Sequence, residues 1–457
     1  MDPLIDTIAA LATAPGSAAI AVVRISGPDT ARVLAATIPE WGEDRLAPRV
    51  VHLVRVVHPE TSEVLDRGLL TWFPGPASYT GEHVAEFSGH GGALLARRVE
   101  EAFLAAGARA AEPGEFTRRA YLNGKLDLVQ AEAVDDLIRG RSPRLQREAL
   151  RQLDRHLSRR LAELRSEVVD LEALLAHHID FPDEDEPPVS AEVVARRARS
   201  LADRLERLGA TAPEGERLRT GALVVLAGRP NAGKSSLYNA LVGEERALVT
   251  AVAGTTRDAL EVEVSMDGYP VRLVDTAGIR DEGGEVERLG IEVARRFVGG
   301  ADLVLHCVPV GSEVPVDEAD WLEGLGVPVL RVGTMSDLAD DAGAGPEAGD
   351  EEPALRVSAV SGEGLDRLRV QVARRCFAGL GSAPADAPVL TRARQARAVA
   401  RAAVEVRAFA AALDEGVPAE FAAAHLRSAE TALEEVVGLV EVDDVLDRVF
   451  RTFCVGK

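Results

Sequence analysis

The chain contains little cysteine and few aromatic residues. Its 457 residues include three cysteines, and Phe, Trp and Tyr together make up 4% of the chain. Cys307, Cys376 and Cys454 are an odd number, lie far apart and form no CxxC pair. This pattern excludes a disulfide framework and a zinc knuckle, and it is typical of a protein in a reducing cytosol.

Long apolar runs are also missing. No run approaches the 18 uncharged apolar residues of a membrane span, so we predict no contact with a membrane. The first 23 residues are apolar, but Asp2 and Asp6 stand where a signal peptide has cations. Residues 454–457 place a cysteine as in a prenylation box, which Gly and Lys fit badly. We therefore expect a cytoplasmic protein without an anchor.

The chain has fewer positive than negative residues. The chain has 52 Lys and Arg against 74 Asp and Glu, a net charge of −22. Such a chain repels nucleic-acid phosphate on average, so any RNA contact has to come from a local basic patch or from a partner protein. The apolar fraction of 46% is ordinary for a globular protein, and the length fits about three domains.

The hydrophobic pattern divides the chain into four segments. Short strand-like runs come first, helical periodicity follows, a region of alternating strands and helices comes next, and helical periodicity returns at the end. The predicted segments are an α+β domain at 1–118, a first helical part at 119–215, an α/β domain at 216–379 and a second helical part at 380–457. The simplest topology is a helical bundle built from two chain segments, with a domain of parallel strands inserted between them.

A phosphate-binding motif opens the α/β segment. Residues 228–235, GRPNAGKS, follow the strand-like run LVVLA and precede a helix. In that context backbone N–H groups and the helix N-terminus cradle phosphate, Lys234 reaches the β- and γ-oxygens, and Ser235 ligates Mg²⁺. An ordinary glycine-rich turn is the alternative, which the context disfavours. The predicted nucleotide contacts here are Asn231, Ala232, Gly233, Lys234, Ser235 and Ser236.

Further motifs follow in the order of a Ras-like GTPase domain. Asp275-Thr-Ala-Gly ends a strand, TTRD at 255–258 is typical of a switch loop, and Ser358-Ala359 follows the strand-like run LRV. An aspartate near the metal, a glycine N–H at the γ-phosphate and a loop that contacts the base are what this chemistry needs. The predicted contacts are Thr255, Thr256, Asp275, Thr276, Ala277, Gly278, Thr334, Asp337, Ser358, Ala359 and Val360.

The guanine motif is imperfect. GTPases usually show Asn-Lys-x-Asp after the fifth strand, whereas this chain has Thr334-Met335-Ser336-Asp337. The Asp337 carboxylate can accept both N1–H and N2–H of guanine. Loss of the Asn amide and the Lys stem should weaken binding by about 1–2 kcal/mol, roughly tenfold. The alternative is a degenerate site that no longer selects guanine.

The position that orients water in Ras is also changed. Ile279 follows the DxxG motif where Ras has glutamine, so hydrolysis needs another acid–base residue and another cation. Asn231 could help to hold a monovalent cation where an arginine finger would place its charge. Glu285 and Glu287 open the next helix and are candidates for the acid, although a helix N-terminus favours acids in any protein.

Five segments together resemble the MnmE (TrmE) family of tRNA modification GTPases over essentially the whole chain: GRPNAGKSS, GTTRD, DTAGIR with EVERLGIE, PGEFTRRAYLNGKLDLVQAEAV and FCVGK. The resemblance implies a homodimer with a folate-binding N-terminal domain that hydrolyses GTP with K⁺ and Mg²⁺ when two G domains meet. It also implies a heterotetramer with the flavoprotein MnmG that adds a carboxymethylaminomethyl or aminomethyl group at C5 of the wobble uridine of certain tRNAs. The carbon would come from 5-formyl- or methylene-tetrahydrofolate.

The same resemblance assigns roles to individual residues. Glu287 would position the attacking water, and Cys454 in the tail would take part in the modification. Phe450 and Phe453 should anchor that tail by packing, and a cysteine there is otherwise more often a small hydrophobe than a reactive thiol. The implied ligands are Asn231, Thr250, Val252 and Thr255 for K⁺, Ser235 and Thr256 for Mg²⁺, Ala251, Ala253 and Gly254 with the same loop for the nucleotide, and Arg24, Glu82, Lys125 and Lys457 for folate.

Two other functions compete with this interpretation. A GTP-dependent switch in ribosome or RNA-particle assembly should have an RNA-binding module, such as a KH domain or a basic tail, and the sequence has neither. A dimer scaffold with a relic G domain should not hydrolyse GTP.

Overall fold

The structure is a computed structural model. It describes residues 6–42, 45–140, 142–180, 189–245, 261–275, 297–314, 318, 321, 324, 326–338, 355–382, 384, 387–438, 449–451 and 453–456. The chain forms two compact units. The first comprises Met1–Asp135, Gln152–Ala162 and Leu433–Lys457, and the second comprises Asp136–Arg151 and Glu163–Ala432. The sequence-based boundaries at 118, 215 and 379 stay predictions.

The first unit contains a six-stranded sheet. Its strands are β1 (Ile8–Leu11), β2 (Ile20–Ser26), β3 (Val51–Val57), β4 (Val64–Phe73), β5 (Val84–His90) and β6 (Arg109–Ala110). Their order is β3-β4-β5-β2-β1-β6, and neighbours are antiparallel except β1 and β6. The strand-like runs of the first segment, at 19–26, 50–57, 69–73 and 83–88, are strands in the structure. β1, which the sequence analysis missed, has the sequence IAAL, and alanine has a weak strand preference.

Helices cover this sheet and continue the chain. Helix α1 (Thr30–Thr37) and helix α2 (Ala93–Ala105) pack on a core that includes Ile25, Phe87 and Phe103. The next helices are α3 (Glu115–Leu122), α4 (Leu128–Arg139), α5 (Pro143–Leu153) and α6 (His156–Asp180).

The C-terminal tail is anchored by aromatic packing, as predicted. Phe450 and Phe453 are buried against Leu128. Gly114 lies beneath them with a φ of 71°, and a Cβ on this residue would stand 2.6 Å from the Phe450 carbonyl oxygen. Only glycine fits this position, because a side chain would be both strained and in collision.

The second unit contains a mostly parallel sheet. Its strands are β7 (Ala222–Ala227), β8 (Glu261–Met266), β9 (Tyr269–Asp275), β10 (Leu303–Pro309), β11 (Val329–Thr334) and β12 (Leu355–Arg356). Their order is β12-β11-β10-β7-β9-β8, and all pairs are parallel except β8 with β9. The predicted buried parallel strands are therefore present. The antiparallel β8 was not predicted, and it is joined to β9 by the two-residue turn Asp267-Gly268, in which both residues have positive φ.

Helices surround this sheet and form a bundle beside it. They are α7 (Ala191–Gly209), α8 (Ala212–Thr220), α9 (Lys234–Glu245), α10 (Leu365–Cys376), α11 (Ala378–Ser382), α12 (Ala393–Asp414) and α13 (Ala419–Val437). α7 and α12 run antiparallel, since Arg199 pairs with Asp414 and Arg407 pairs with Asp203. The predicted packing of the two helical segments is thus confirmed. Within the described ranges, no helix combines the length and apolar character needed to cross a membrane.

Candidate functional site

The loop after β7 has the backbone of a phosphate cradle. β7 is buried along its whole length, and α9 begins at Lys234 after a loop with positive φ at Gly228 (139°), Asn231 (61°) and Gly233 (79°). A Cβ on Gly228 would stand 2.5 Å from the Cys307 carbonyl oxygen, so this position requires glycine. Left-handed residues before a helix N-terminus form concave, N–H-rich loops that bind anions. Nucleotide phosphate fits this loop.

Lys234 and Asp275 supply the charges at this edge of the sheet. The Lys234 Nζ donates to the carbonyl oxygens of Gly228 (2.9 Å) and Arg229 (2.7 Å), and the side chain is buried. There the ammonium can exchange neutral acceptors for phosphate oxygens, which form stronger, charge-assisted bonds. Asp275 ends β9 and is the register partner of Leu226, next to the start of the loop. Burial raises the pKa of Cys307 between these groups to about 12, so its thiol stays protonated.

Thr334 and Met335 lie against the phosphate loop even though the usual Asn and Lys are missing. The Thr334 hydroxyl donates to the Ala232 carbonyl oxygen at 2.7 Å. The Met335 Cε lies 3.4 Å from the point where a Cβ on Gly233 would stand. The hydroxyl therefore ties β11 to the loop, a link that the sequence analysis missed because it considered only what the missing amide would have done.

Asp337 and the predicted base loop are brought together. Asp337 is exposed in the short 3₁₀ turn Ser336–Leu338, and the Ser358 hydroxyl donates to its Oδ1 at 2.6 Å. The Ser358 oxygen also accepts from the backbone N–H groups of Val360 (3.2 Å) and Ser361 (3.1 Å). Ser358 thus fixes the Asp337 carboxylate while leaving its second oxygen available to a ligand.

The structure describes only part of the predicted nucleotide and metal set. Asn231, Ser235 and Ser236 are exposed at the loop and at the start of α9. Among the residues described, no group of three or more His, Cys, Asp or Glu side chains could hold a metal ion. Outside the described residues lie Thr250, Ala251, Val252, Ala253, Gly254, Thr255, Thr256, Thr276, Ala277, Gly278, Ile279, Glu285 and Glu287.

Arg24 links the sheet of the first unit to the C-terminal tail. Its Nε donates to Glu86 Oε1 at 2.8 Å, and its Nη1 donates to the Gly456 carbonyl oxygen at 3.2 Å. The guanidinium carbon lies 5.5 Å from the ring centroids of both Tyr79 and Phe116. Lys457, which follows Gly456, lies outside the described residues.

Glu82 lies in the loop between β4 and β5, and Lys125 contacts the same loop. Glu82 Oε2 accepts from the Ser26 hydroxyl on β2 at 2.7 Å, and Arg119 Nη1 is 3.2 Å from both carboxylate oxygens. The exposed Lys125 Nζ donates to the Pro76 carbonyl oxygen at 2.9 Å. A carboxylate can still accept from a pterin N–H after these bonds, and Lys125 and Arg24 suit a glutamate tail. The donors and acceptors of this region therefore fit folate.

Arg119 is a residue that the sequence analysis missed. It is fully buried, and it bonds to Asp6 and Glu115 as well as Glu82. Burial alone would raise the pKa of Glu115, but hydrogen bonds from Arg109 and Arg119 outweigh it and lower the pKa below its usual value. Arg119 and Glu115 are one helical turn apart on α3, a spacing that could have indicated the pair.

Cys454 is the exposed cysteine of the three. Cys307 and Cys376 are buried, and burial raises the pKa of each to about 12. Cys454 lies one residue beyond the buried Phe453, and its carbonyl oxygen accepts from the Gly114 N–H at 3.2 Å. Cys454 is thus exposed to solvent in a tail that is held by the buried Phe453 and by the bond from Gly114.

A glycine-rich phosphate loop between a buried strand and a helix, at the carboxyl edge of a parallel sheet, defines a P-loop nucleotide-binding protein. Two family models match most of the chain: "GTP-binding protein TrmE N-terminus" over residues 7–125 and "MnmE helical domain" over residues 128–454. The chain belongs to the MnmE family of tRNA modification GTPases. The predictions of the family, of the fold class and of a GTPase are confirmed.

Several relatives are similar over their whole length. Each bears the name tRNA modification GTPase MnmE. That of Heliobacterium modesticaldum is 40% identical over 99% of both chains, and that of a Methylobacterium species is 44% identical over 99% of this chain and 100% of its own. The solved G domain of the T. maritima FeoB iron transporter is 27% identical, covering 34% of this chain and 98% of its own. Its TM-score is 0.24, so it adds nothing to the assignment.

Guanine selection should depend on Asp337. We expect Asp337→Asn to lower affinity for GTP at least tenfold and to raise affinity for xanthosine triphosphate, because an amide donor replaces an acceptor that faces guanine N1–H. Equilibrium titration with fluorescent analogues of both nucleotides measures this. Asp267→Asn is the matched control. Asp267 is exposed in the turn between β8 and β9, at the end of β9 that lies away from the phosphate loop, and its φ of 51° suits Asn. Unchanged GTP binding by Asp337→Asn would favour the degenerate site.

Proposed function

We propose that this enzyme hydrolyses GTP to drive modification of the wobble uridine of tRNA in the cytoplasm. Together with the flavoprotein MnmG, it adds an aminomethyl or carboxymethylaminomethyl group at C5, using the carbon of a tetrahydrofolate derivative. The observation that supports this most strongly is in the first unit. There the tail with the exposed Cys454 is tied through Gly456 to Arg24, one of the residues assigned to folate.

Each residue of the proposed nucleotide site has its own role. Lys234 holds the β- and γ-phosphate oxygens, Ser235 and Thr256 hold Mg²⁺, and Asp337 accepts the N–H groups of guanine. Asn231, Thr250, Val252 and Thr255 hold K⁺, and Glu287 positions the attacking water. Bound K⁺ supplies the positive charge that an arginine finger supplies elsewhere. The exposure of Asn231 within the phosphate loop supports its role, since its side-chain amide is accessible to a ligand there.

The folate residues have separate tasks as well. Glu82 accepts from the pterin, and Arg24, Lys125 and Lys457 hold the acidic tail of the cofactor. Bound folate supplies the one-carbon unit. Arg119 holds the Glu82 carboxylate in place, because its buried guanidinium lies within hydrogen-bond distance of both carboxylate oxygens. Cys454 then acts from the tail as a nucleophile or an acid.

An apolar face on the first sheet supports a homodimer. Leu53 on β3 and Leu69 on β4 are register partners, and they are 76% and 45% exposed, with Val51 at 58% on the same face. Large apolar side chains exposed side by side on an edge strand are typical of an interaction surface. A second copy of the chain would cover them, and the dimer with MnmG would form the heterotetramer.

Reconstitution tests the proposed function. The chain, the flavoprotein, a tRNA transcript, GTP, methylene-tetrahydrofolate, and glycine or ammonium are incubated in KCl, and the tRNA nucleosides are analysed by mass spectrometry. We expect modified uridine from the complete mixture and unmodified uridine when GTP, folate or the chain is omitted. Hydrolysis of GTP without any modified uridine would instead favour an assembly switch.

A further inference from the structure

One face of helix α5 concentrates positive charge in an acidic chain. Residues 139–151 contain five arginines and one glutamate, a net charge of +4, whereas the whole chain has −22. Arg144, Arg147 and Arg151 follow at intervals of three and four residues. They therefore lie within about 60° of one another around the helix axis and span about 10 Å along it. We call these three residues the α5 arginine face.

Contacts of Leu145 and Arg144 hold α5 in place. Leu145 belongs to the same buried core as Tyr269 and Phe377. The Arg144 N–H donates to the Gly268 carbonyl oxygen at 3.2 Å, and the Arg144 guanidinium carbon lies 4.9 Å from the Tyr269 ring centroid. This cation–π contact fixes the guanidinium without using its N–H groups. Within the α5 arginine face, the Arg144 guanidinium is thus held in place with its N–H groups available.

Arg144 and Arg147 have no carboxylate partner among the described residues. Both are exposed, and in the described part of the chain no side chain accepts a hydrogen bond from either guanidinium. Arg151 is 3.7 Å from the buried Glu148, a long ion pair. Several arginines whose side chains are at least 40% exposed are, by contrast, paired with carboxylates: Arg32, Arg97, Arg98, Arg199 and Arg407. The N–H groups of these two neighbouring guanidinium groups are therefore available to an anionic ligand.

We propose that the α5 arginine face binds the phosphate backbone of tRNA. The inference rests on the proposed function for the identity of the RNA, and it supplies the local basic patch that an acidic chain needs to bind one. Arginine forks bind phosphate oxygens in pairs, and regularly spaced cations suit a regularly charged strand. Such contacts position the RNA and do not read its sequence.

Direct binding of a fluorescent tRNA transcript to the full chain tests this inference. Anisotropy titrations at several KCl concentrations give the affinity and its salt dependence. We expect the double variant R144Q/R147Q to bind about tenfold more weakly at 100 mM KCl. Its slope of log K against log salt should be smaller by roughly 2, because each phosphate that an arginine neutralises adds about 0.9 to that slope. GTP hydrolysis should stay unchanged, and the thermal unfolding midpoint should fall by no more than about 4 °C, because R144Q loses only the contact with Tyr269.

Two further variants serve as controls. R97Q/R98Q removes the same charge from α2, where the two side chains are 76% and 40% exposed, and it should keep the wild-type affinity and slope. R144K/R147K keeps the charge and should restore the slope. An unchanged slope in R144Q/R147Q, or an equal loss of affinity in R97Q/R98Q, would overturn the inference. So would intact tRNA binding with lost binding of the flavoprotein, which would assign the face to a protein. Absence of modification by the wild-type chain would overturn the proposed function instead.

Discussion

GTP hydrolysis is expected to be faster in K⁺ than in Na⁺ by as much as about 10³-fold to 10⁵-fold, the range of an arginine finger. The reason is that Ile279 stands where Ras has the water-orienting glutamine, so the proposed mechanism uses a cation held by Asn231 and its loop. Na⁺ is smaller and should fit a site built for K⁺ poorly. Single-turnover hydrolysis at equal ionic strength in KCl and NaCl measures the ratio.

The backbone at Asn231 determines which variant tests this best. Its φ of 61° is tolerated by glycine, whereas alanine there adds strain. Asn231→Gly therefore removes the amide alone, and we expect it to lose most of the activation by K⁺ while GDP affinity stays near wild type. Asn231→Ala should lose both. If Asn231→Gly hydrolyses GTP at the wild-type rate in K⁺, or if K⁺ and Na⁺ support equal rates, the assignment of the cation is wrong.

Cys454→Ser is expected to abolish wobble-uridine modification while GTP hydrolysis stays at the wild-type rate. The substitution exchanges sulfur for oxygen on an exposed side chain, so the packing of Phe450 and Phe453 and the bond from Gly114 should persist. A serine hydroxyl is a far weaker nucleophile and acid than a thiol. The reconstitution assay with nucleoside mass spectrometry measures the modification, and phosphate release measures hydrolysis.

The neighbouring Val455 offers the control for this variant. It is 52% exposed in the same tail, so Val455→Ser tests whether any polar change there stops the reaction. We expect Val455→Ser to modify tRNA normally. Full modification by Cys454→Ser would leave the thiol without a chemical role. Loss of hydrolysis together with modification would point to damage of the fold, which a lowered thermal unfolding midpoint would show.

Local signals along the chain predicted much of the second unit. The run LVVLA, the glycine-rich loop and the following helix are contiguous, so their order alone indicates β7, the phosphate cradle and α9. The anchored tail was predictable for the same reason, because Phe450 and Phe453 stand next to Cys454 in the chain. The family was likewise evident from motifs that are each continuous in sequence.

Contacts between distant residues were not predictable in this way. The Thr334 hydroxyl reaches a carbonyl 102 residues earlier in the chain, and Arg119 reaches Asp6 over 113 residues. A sequence shows which donors exist, but only the tertiary structure decides which acceptor each one meets. For this reason the sequence shows Thr334 only as the loss of the usual Asn, and it does not distinguish Arg119 from other arginines on helices.

The motifs of the sequence are enough to indicate the phosphate loop, the GTPase class and the family, because each motif is continuous along the chain. Which charges are neutralised depends on the fold. Arginines such as Arg97 and Arg407 meet a carboxylate brought close by the fold, whereas Arg144 and Arg147 on α5 meet none among the described residues. Net charge is a sum over the chain, but an ion pair requires two groups within about 4 Å, and that proximity exists only after folding.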